Sequence, residues 1–172
     1  MSIIATDLDG TIFKGQTLID GVKEGLLKII NEGIEIYYTT NNSSQTPSEI
    51  KDKLEYLLQL NIDMSKIITP LVIFQNLYSN TKSNIFIYGS DNLKNYIKTL
   101  NINVTSLENA ELVLIGRKEE NNFSEINEII KNVSLGKNIL SLNKDLTFPT
   151  EFGEKAGNGA VVKIIEDELS IN

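Results

Sequence analysis

Apolar and polar positions follow one another in this chain as short blocks of two alternating kinds. Ser2-Ile3-Ile4-Ala5-Thr6 is a short apolar run, a strand candidate, that leads straight into Asp7-Leu8-Asp9-Gly10-Thr11. Val22, Leu26, Ile29 and Ile30 recur at helical spacing and predict a helix over about 22–31, with Gly33 as its stop. Residues 34–38 read as a second strand that runs into the polar cluster 39–44, a loop. Thr46, Pro47 and Glu49 then spell a helix start: a cap, a proline suited to the first turn, and the reciprocal acid of a capping box. Ile50, Leu54, Leu57 and Leu58 supply the buried stripe of that helix. A short strand at 67–69 and a helix at 71–78 complete a strand-helix series that argues for a parallel sheet with crossover helices.

After the polar stretch Ser79-Asn80-Thr81-Lys82 the rhythm changes. Strand candidates at 84–88, 103–105, 111–115 and 138–142 alternate with helices at 91–99 and 123–132, the latter opened by Asn122 and Glu125 as a capping pair. This βαββαβ block is expected to form a compact sheet with helices on one face. Segment 147–158 reads as a loop, because it holds Pro149, Gly153 and Gly157, and a helix follows at 159–169. The predicted division is therefore 1–82, 83–146 and 147–172, and the fold class α/β.

Composition narrows the chemistry. Among 172 residues there is no histidine, cysteine or tryptophan, and 16 basic against 23 acidic side chains leave a formal charge of −7. A histidine-based triad, a thiolate nucleophile, a disulfide frame and a cysteine or histidine zinc site are all excluded. Carboxylates, hydroxyls, amides, lysines and hard oxygen-seeking cations remain. Excess negative charge argues against nucleic acid as a partner. The apolar runs are far shorter than the roughly 20 residues that span a bilayer, and no signal peptide is evident. A cytoplasmic protein with no membrane partner is expected.

Asp7 and Asp9 are the first candidates. Strand alternation turns both carboxylates to one side, with Leu8 turned to the core, at the carboxyl end of a strand where open α/β sheets bind ligands. Gly10 permits a sharp exit. Two unit charges about 4 Å apart repel by about 4 kcal/mol at an effective dielectric of 20, so such a pair invites a proton or a cation, and Mg²⁺ suits clustered oxygens. The alternative is a strand-to-loop turn with solvated carboxylates. Thr39-Thr40-Asn41-Asn42 ends a second apolar strand, and hydroxyls, amides and loop N–H groups there can hold a phosphate without adding negative charge. Loop and cap chemistry is the alternative for that cluster.

Asp7-Leu8-Asp9-Gly10-Thr11-Ile12 followed by Thr40-Asn41-Asn42-Ser43-Ser44 resembles the first two signature motifs of the haloacid dehalogenase-like hydrolases, in the NagD-like, nitrophenylphosphatase-like branch. The segment Asn143-Lys144-Asp145 through Gly157-Asn158-Gly159-Ala160 is similar to that branch's segment at the end of its cap. The resemblance implies a partial doubly wound, Rossmann-like core at 1–82, an inserted α/β cap at 83–146, and a return toward the core at 147–172 with the remainder of the core absent. It implies a Mg²⁺-dependent phosphatase of small phosphorylated metabolites. Asp7 would be the nucleophile and Asp9 the acid and base, with Mg²⁺ held by the Asp7 carboxylate and the Asp9 main-chain carbonyl. Gly10, Thr40, Asn41 and Asn42 would contact the phosphoryl group, and Asn143 and Asp145 would lie near the cap's entrance. Neither the family's later Gly-Lys-Pro nor its Gly-Asp occurs in the sequence. Lys155 and Lys163 are candidate replacements for that lysine, but solvated surface roles are the stronger expectation for both. The alternative expectation is thus an impaired, shortened member acting, if at all, as a binding module or as a homodimer.

Overall fold

The structure, a computed structural model, describes residues 2–118, 120–150 and 153–170. Its first strand, β1 (Ile3–Asp7), is followed by a two-rung hairpin, β2 (Phe13–Lys14) and β3 (Thr17–Leu18), then α1 (Val22–Asn31), β4 (Glu35–Thr39), α2 (Pro47–Leu58), a 3₁₀ turn (Met64–Lys66), β5 (Ile67–Ile68) and α3 (Pro70–Tyr78). The small hairpin escaped the sequence reading because two-residue strands carry no measurable alternation.

β1, β4 and β5 form a parallel sheet in that order, with Asp7 opposite Thr39 and Thr39 opposite Ile68. Both crossovers step in the same direction, so right-handedness places α1 and α2 on one face. The core agrees: Ile36 and Tyr38 of β4 meet Leu26 of α1 and Ile50, Leu54 and Leu58 of α2, together with Leu8, Ile12 and Phe13. Each such apolar side chain contributes about 1.5–3 kcal/mol on burial. α2 begins as its sequence predicts. Thr46 N–H donates to Glu49 Oε2 at 2.7 Å, and Glu49 N–H donates to Thr46 Oγ1 at 3.3 Å.

The later residues build β6 (Asn84–Tyr88), α4 (Asp91–Thr99), β7 (Asn103–Val104), β8 (Leu112–Ile115), α5 (Phe123–Ser134), β9 (Asn138–Ser141), β10 (Thr147–Thr150), β11 (Gly153–Ala156) and α6 (Asn158–Leu169). A parallel sheet runs in the order β7-β6-β8-β9. Here the two helical crossovers step in opposite directions from the centre, which sends α4 and α5 to opposite faces. Helices on one face only, as the sequence suggested, is therefore corrected. All four residues of β8 are buried, as expected of a strand covered on both sides. Val113 and Ile115 pack with Ile126 and Ile129 of α5 and with Val161, Val162 and Ile165 of α6.

Segment 147–158 also differs from expectation: β10 and β11 pair as an antiparallel ribbon, with Pro149 opposite Glu154. A two-stranded ribbon has free edges and tolerates a proline that a central strand would reject. The chain divides into two compact units, Met1–Ile73 and Phe74–Asn172. Among the described residues, no helix is long and apolar enough to cross a membrane.

Two glycine substitutions should separate steric need from helix propensity. A Cβ on Gly159 would lie 2.1 Å from the Lys144 carbonyl oxygen, whereas one on Gly25 of α1 meets nothing within 4 Å. Urea unfolding should show Gly159→Ala losing about 1–3 kcal/mol, and Gly25→Ala gaining about 0.5–1 kcal/mol.

Candidate active site

The parallel register of β1 and β4 brings two strand ends to the same sheet edge. Asp7 closes β1 and Thr39 closes β4, and the two are direct register partners. The Thr39 hydroxyl donates to the Thr6 carbonyl at 3.1 Å, tying the strands at this point. Beyond Asp7 the chain dips inward at Leu8, 1% exposed, and turns sharply. The Leu8 carbonyl accepts from the N–H groups of Thr11, Ile12 and Phe13 at 3.2, 2.9 and 3.2 Å. Gly10 takes φ +85°, a conformation that side-chain-bearing residues rarely adopt, and its N–H donates to the Phe13 carbonyl at 2.8 Å. Leu8 thus acts as an anchor that leaves Asp7 and Asp9 exposed on either side of it.

The second loop meets the first through Thr40, 9% exposed. Its hydroxyl donates to Asp9 Oδ2 at 3.4 Å and accepts from Asn42 N–H at 3.0 Å. Its own N–H donates to the Ile68 carbonyl at 3.1 Å, so the hydroxyl is held by β5 as well. Asn42 shapes the loop with its side chain: Oδ1 accepts from Ser44 N–H at 2.9 Å and Ser44 Oγ at 2.7 Å, and Nδ2 donates to Gln45 Oε1 at 3.2 Å. Asp7, Thr39, Thr40, Asn41, Ile68, Thr69, Pro70 and Ile73 line a hollow of about 400 Å³. Asp7, Asp9, Gly10, Thr40, Asn41 and Asn42 therefore gather on one edge of the first unit.

Asn143 and Asp145 belong to the second unit, where their segment packs on the start of α6. The Gly157 N–H donates to the Leu146 carbonyl at 2.8 Å and the Gly159 N–H to the Asp145 carbonyl at 3.0 Å. Lys163 pairs with Asp167 at 2.9 Å and Lys155 is exposed on β11, as expected of surface lysines.

The cation that the sequence reading missed is Lys53. It lies half-buried beside the inward stripe of α2, one residue before Leu54, and its amine sits 3.6 Å from the centroid of the Phe13 ring. Burial pushes its pKa down from the usual lysine range, and the field of the Asp9 carboxylate pulls it back up. The available signal was a lysine three residues after Ile50 and four before Leu57, inside an otherwise apolar stripe.

Among the described residues there is no cluster of three or more acidic groups suited to a metal. Two aspartates at a strand end fit a hard cation that keeps most of its waters, as Mg²⁺ does.

The profile of the haloacid dehalogenase-like hydrolases matches residues 4–103, more than half of the sequence. The chain belongs to that family. An acid sugar phosphatase of Staphylococcus haemolyticus is 31% identical over 163 residues, spanning 92% of this chain and 61% of the relative. A mutant of the thermostable p-nitrophenylphosphatase from Bacillus stearothermophilus is 27% identical, with a TM-score of 0.80 over 99% of this chain and 67% of that one. A glycerol phosphate phosphatase from Mycobacterium tuberculosis in complex with magnesium has a TM-score of 0.81 at 22% identity, over 99% of this chain and 52% of that one, and shares the fold. The chain spans somewhat over three fifths of the length of the curated relatives it matches. Within the family it resembles acid sugar phosphatases and a p-nitrophenylphosphatase.

Replacing Thr40 with Val keeps the shape but deletes the hydroxyl that serves both Asp9 and Asn42. The orphaned Asn42 N–H should cost about 1–3 kcal/mol, read as a lower thermal midpoint. Thr40→Ser should recover most of it.

Proposed function

We propose that this protein is a Mg²⁺-dependent phosphatase of small phosphorylated metabolites that works through an aspartyl phosphate on Asp7. The observation that carries the reading is the bond from Thr40 to Asp9, next to the Asp7–Thr39 register pair, at the rim of one hollow. A nucleophile, a second carboxylate and a phosphate-binding loop then share a single edge. The absence of histidine and cysteine leaves carboxylate chemistry as the route open to this site.

In the first step an Asp7 carboxylate oxygen attacks phosphorus, while Asp9 gives its proton to the departing alkoxide. In the second, Asp9 takes a proton from water, and the resulting hydroxide attacks the same phosphorus. The Asp7–phosphorus bond breaks, and inorganic phosphate leaves. Thr40 orients Asp9 for both transfers. The loop N–H groups around Asn41 and the turn at Gly10 receive the phosphoryl oxygens, and Asn42 keeps that loop in shape. The Asp7 carboxylate and the Asp9 carbonyl would hold Mg²⁺, which would supply charge neutralisation to the phosphoryl group. Residues 83–146 would serve as a cap, with Asn143 and Asp145 near its entrance. Similarity to acid sugar phosphatases supports sugar phosphates within the substrate class. No observation favours the alternative of an impaired remnant.

Hydrolysis of p-nitrophenyl phosphate by the purified chain should require Mg²⁺ and fall about 10³-fold or more in Asp7→Asn. An Asp7→Asn variant that retains the wild-type rate contradicts the assignment.

A further inference from the structure

We propose that Lys53 is the resident positive charge of this site, a positioning residue that draws anionic phosphate toward the edge where Asp9 and Thr40 meet. The inference rests on the phosphatase reading and adds a residue to it. None of the described residues lining the hollow carries a positive charge, yet Asp7 and, through Thr40, Asp9 bring negative charge to its edge. A phosphate monoester near neutral pH adds close to two more. A single divalent cation leaves part of that charge uncompensated, and Lys53 is placed to supply more.

The placement is specific. Phe13 is 2% exposed and its backbone carbonyl is tied to Gly10 N–H at 2.8 Å, immediately after Asp9. Asp9 and Phe13 also form an isolated β-bridge. A lysine amine held 3.6 Å from the Phe13 ring centroid is thereby held against the catalytic turn itself. Lys51, on the same helix and also half-buried, is paired with Glu55 at 2.6 Å. Lys53 instead sets its amine over an aromatic face and, half-buried there, loses part of its solvation. Cation–π attraction to Phe13 and the field of Asp9 offset part of that cost. Both hold the charge beside the site.

A charge role and a packing role give different binding signatures. Calorimetric titration of the full 172-residue chain would use Mg²⁺ alone, and then inorganic phosphate at saturating Mg²⁺. Lys53→Met keeps length, helix propensity and apolar contact while deleting the charge. It should weaken phosphate about tenfold and tighten Mg²⁺ severalfold, because one charge acts on the two ions with opposite sign. Lys53→Gln should shift both in the same senses, and Lys53→Arg should restore both to within about threefold of wild type. Affinities that fall together, or that do not move while the wild type binds both ions, overturn the role of Lys53 and leave the phosphatase reading intact. A wild-type chain that binds neither ion overturns both.

Discussion

The parallel pairing of β1 with β4 is the constraint on which the site depends. Because the register sets Asp7 opposite Thr39, the residues that follow each strand emerge side by side from one sheet edge. A slip of one residue would turn Asp7 and Leu8 to the wrong faces, burying a carboxylate and exposing an apolar anchor. The register is secured from both directions. Leu8 is buried within the core that Ile36, Tyr38 and Leu54 help to form, and Thr39 donates its hydroxyl across to β1. The packing that stabilises the first unit is thus the same packing that aligns its chemistry.

Electrostatics then shapes what the edge can do. An acidic chain has little reason to gather two carboxylates at a strand end unless a cation joins them. Thr40 steadies Asp9 with a neutral hydroxyl, which adds no charge to a crowded region. Asn42 spends its side chain on Ser44 and Gln45, and so contributes through loop shape. Lys53 holds its positive charge over the Phe13 ring and is not among the described residues that line the hollow.

Much of this arrangement could be read from residue patterns. The capping box at Thr46, the strand–helix alternation and the two polar clusters ending apolar strands each follow from local rules, and each appears where expected. What escaped was non-local. The opposite faces of α4 and α5 follow from strand order, which periodicity does not reveal. The β10–β11 ribbon was masked by proline and glycine, whose loop preference is overridden when a ribbon offers free edges. Lys53 was hidden because its meaning lies in Phe13 and Asp9, some forty residues earlier in the chain. A side chain whose partners are distant in sequence has no local signature beyond its apolar neighbours on the helix.

The central claim is that Asp7 accepts the phosphoryl group at this edge. Its most direct test is chemical trapping: brief exposure of the protein to Mg²⁺ and a phosphate monoester, quenching with borohydride, and peptide mass spectrometry. An acyl phosphate is reduced to the alcohol, so the account predicts homoserine at position 7 with Asp9 unchanged. Homoserine at position 9, or at any other acidic residue in place of 7, would contradict it.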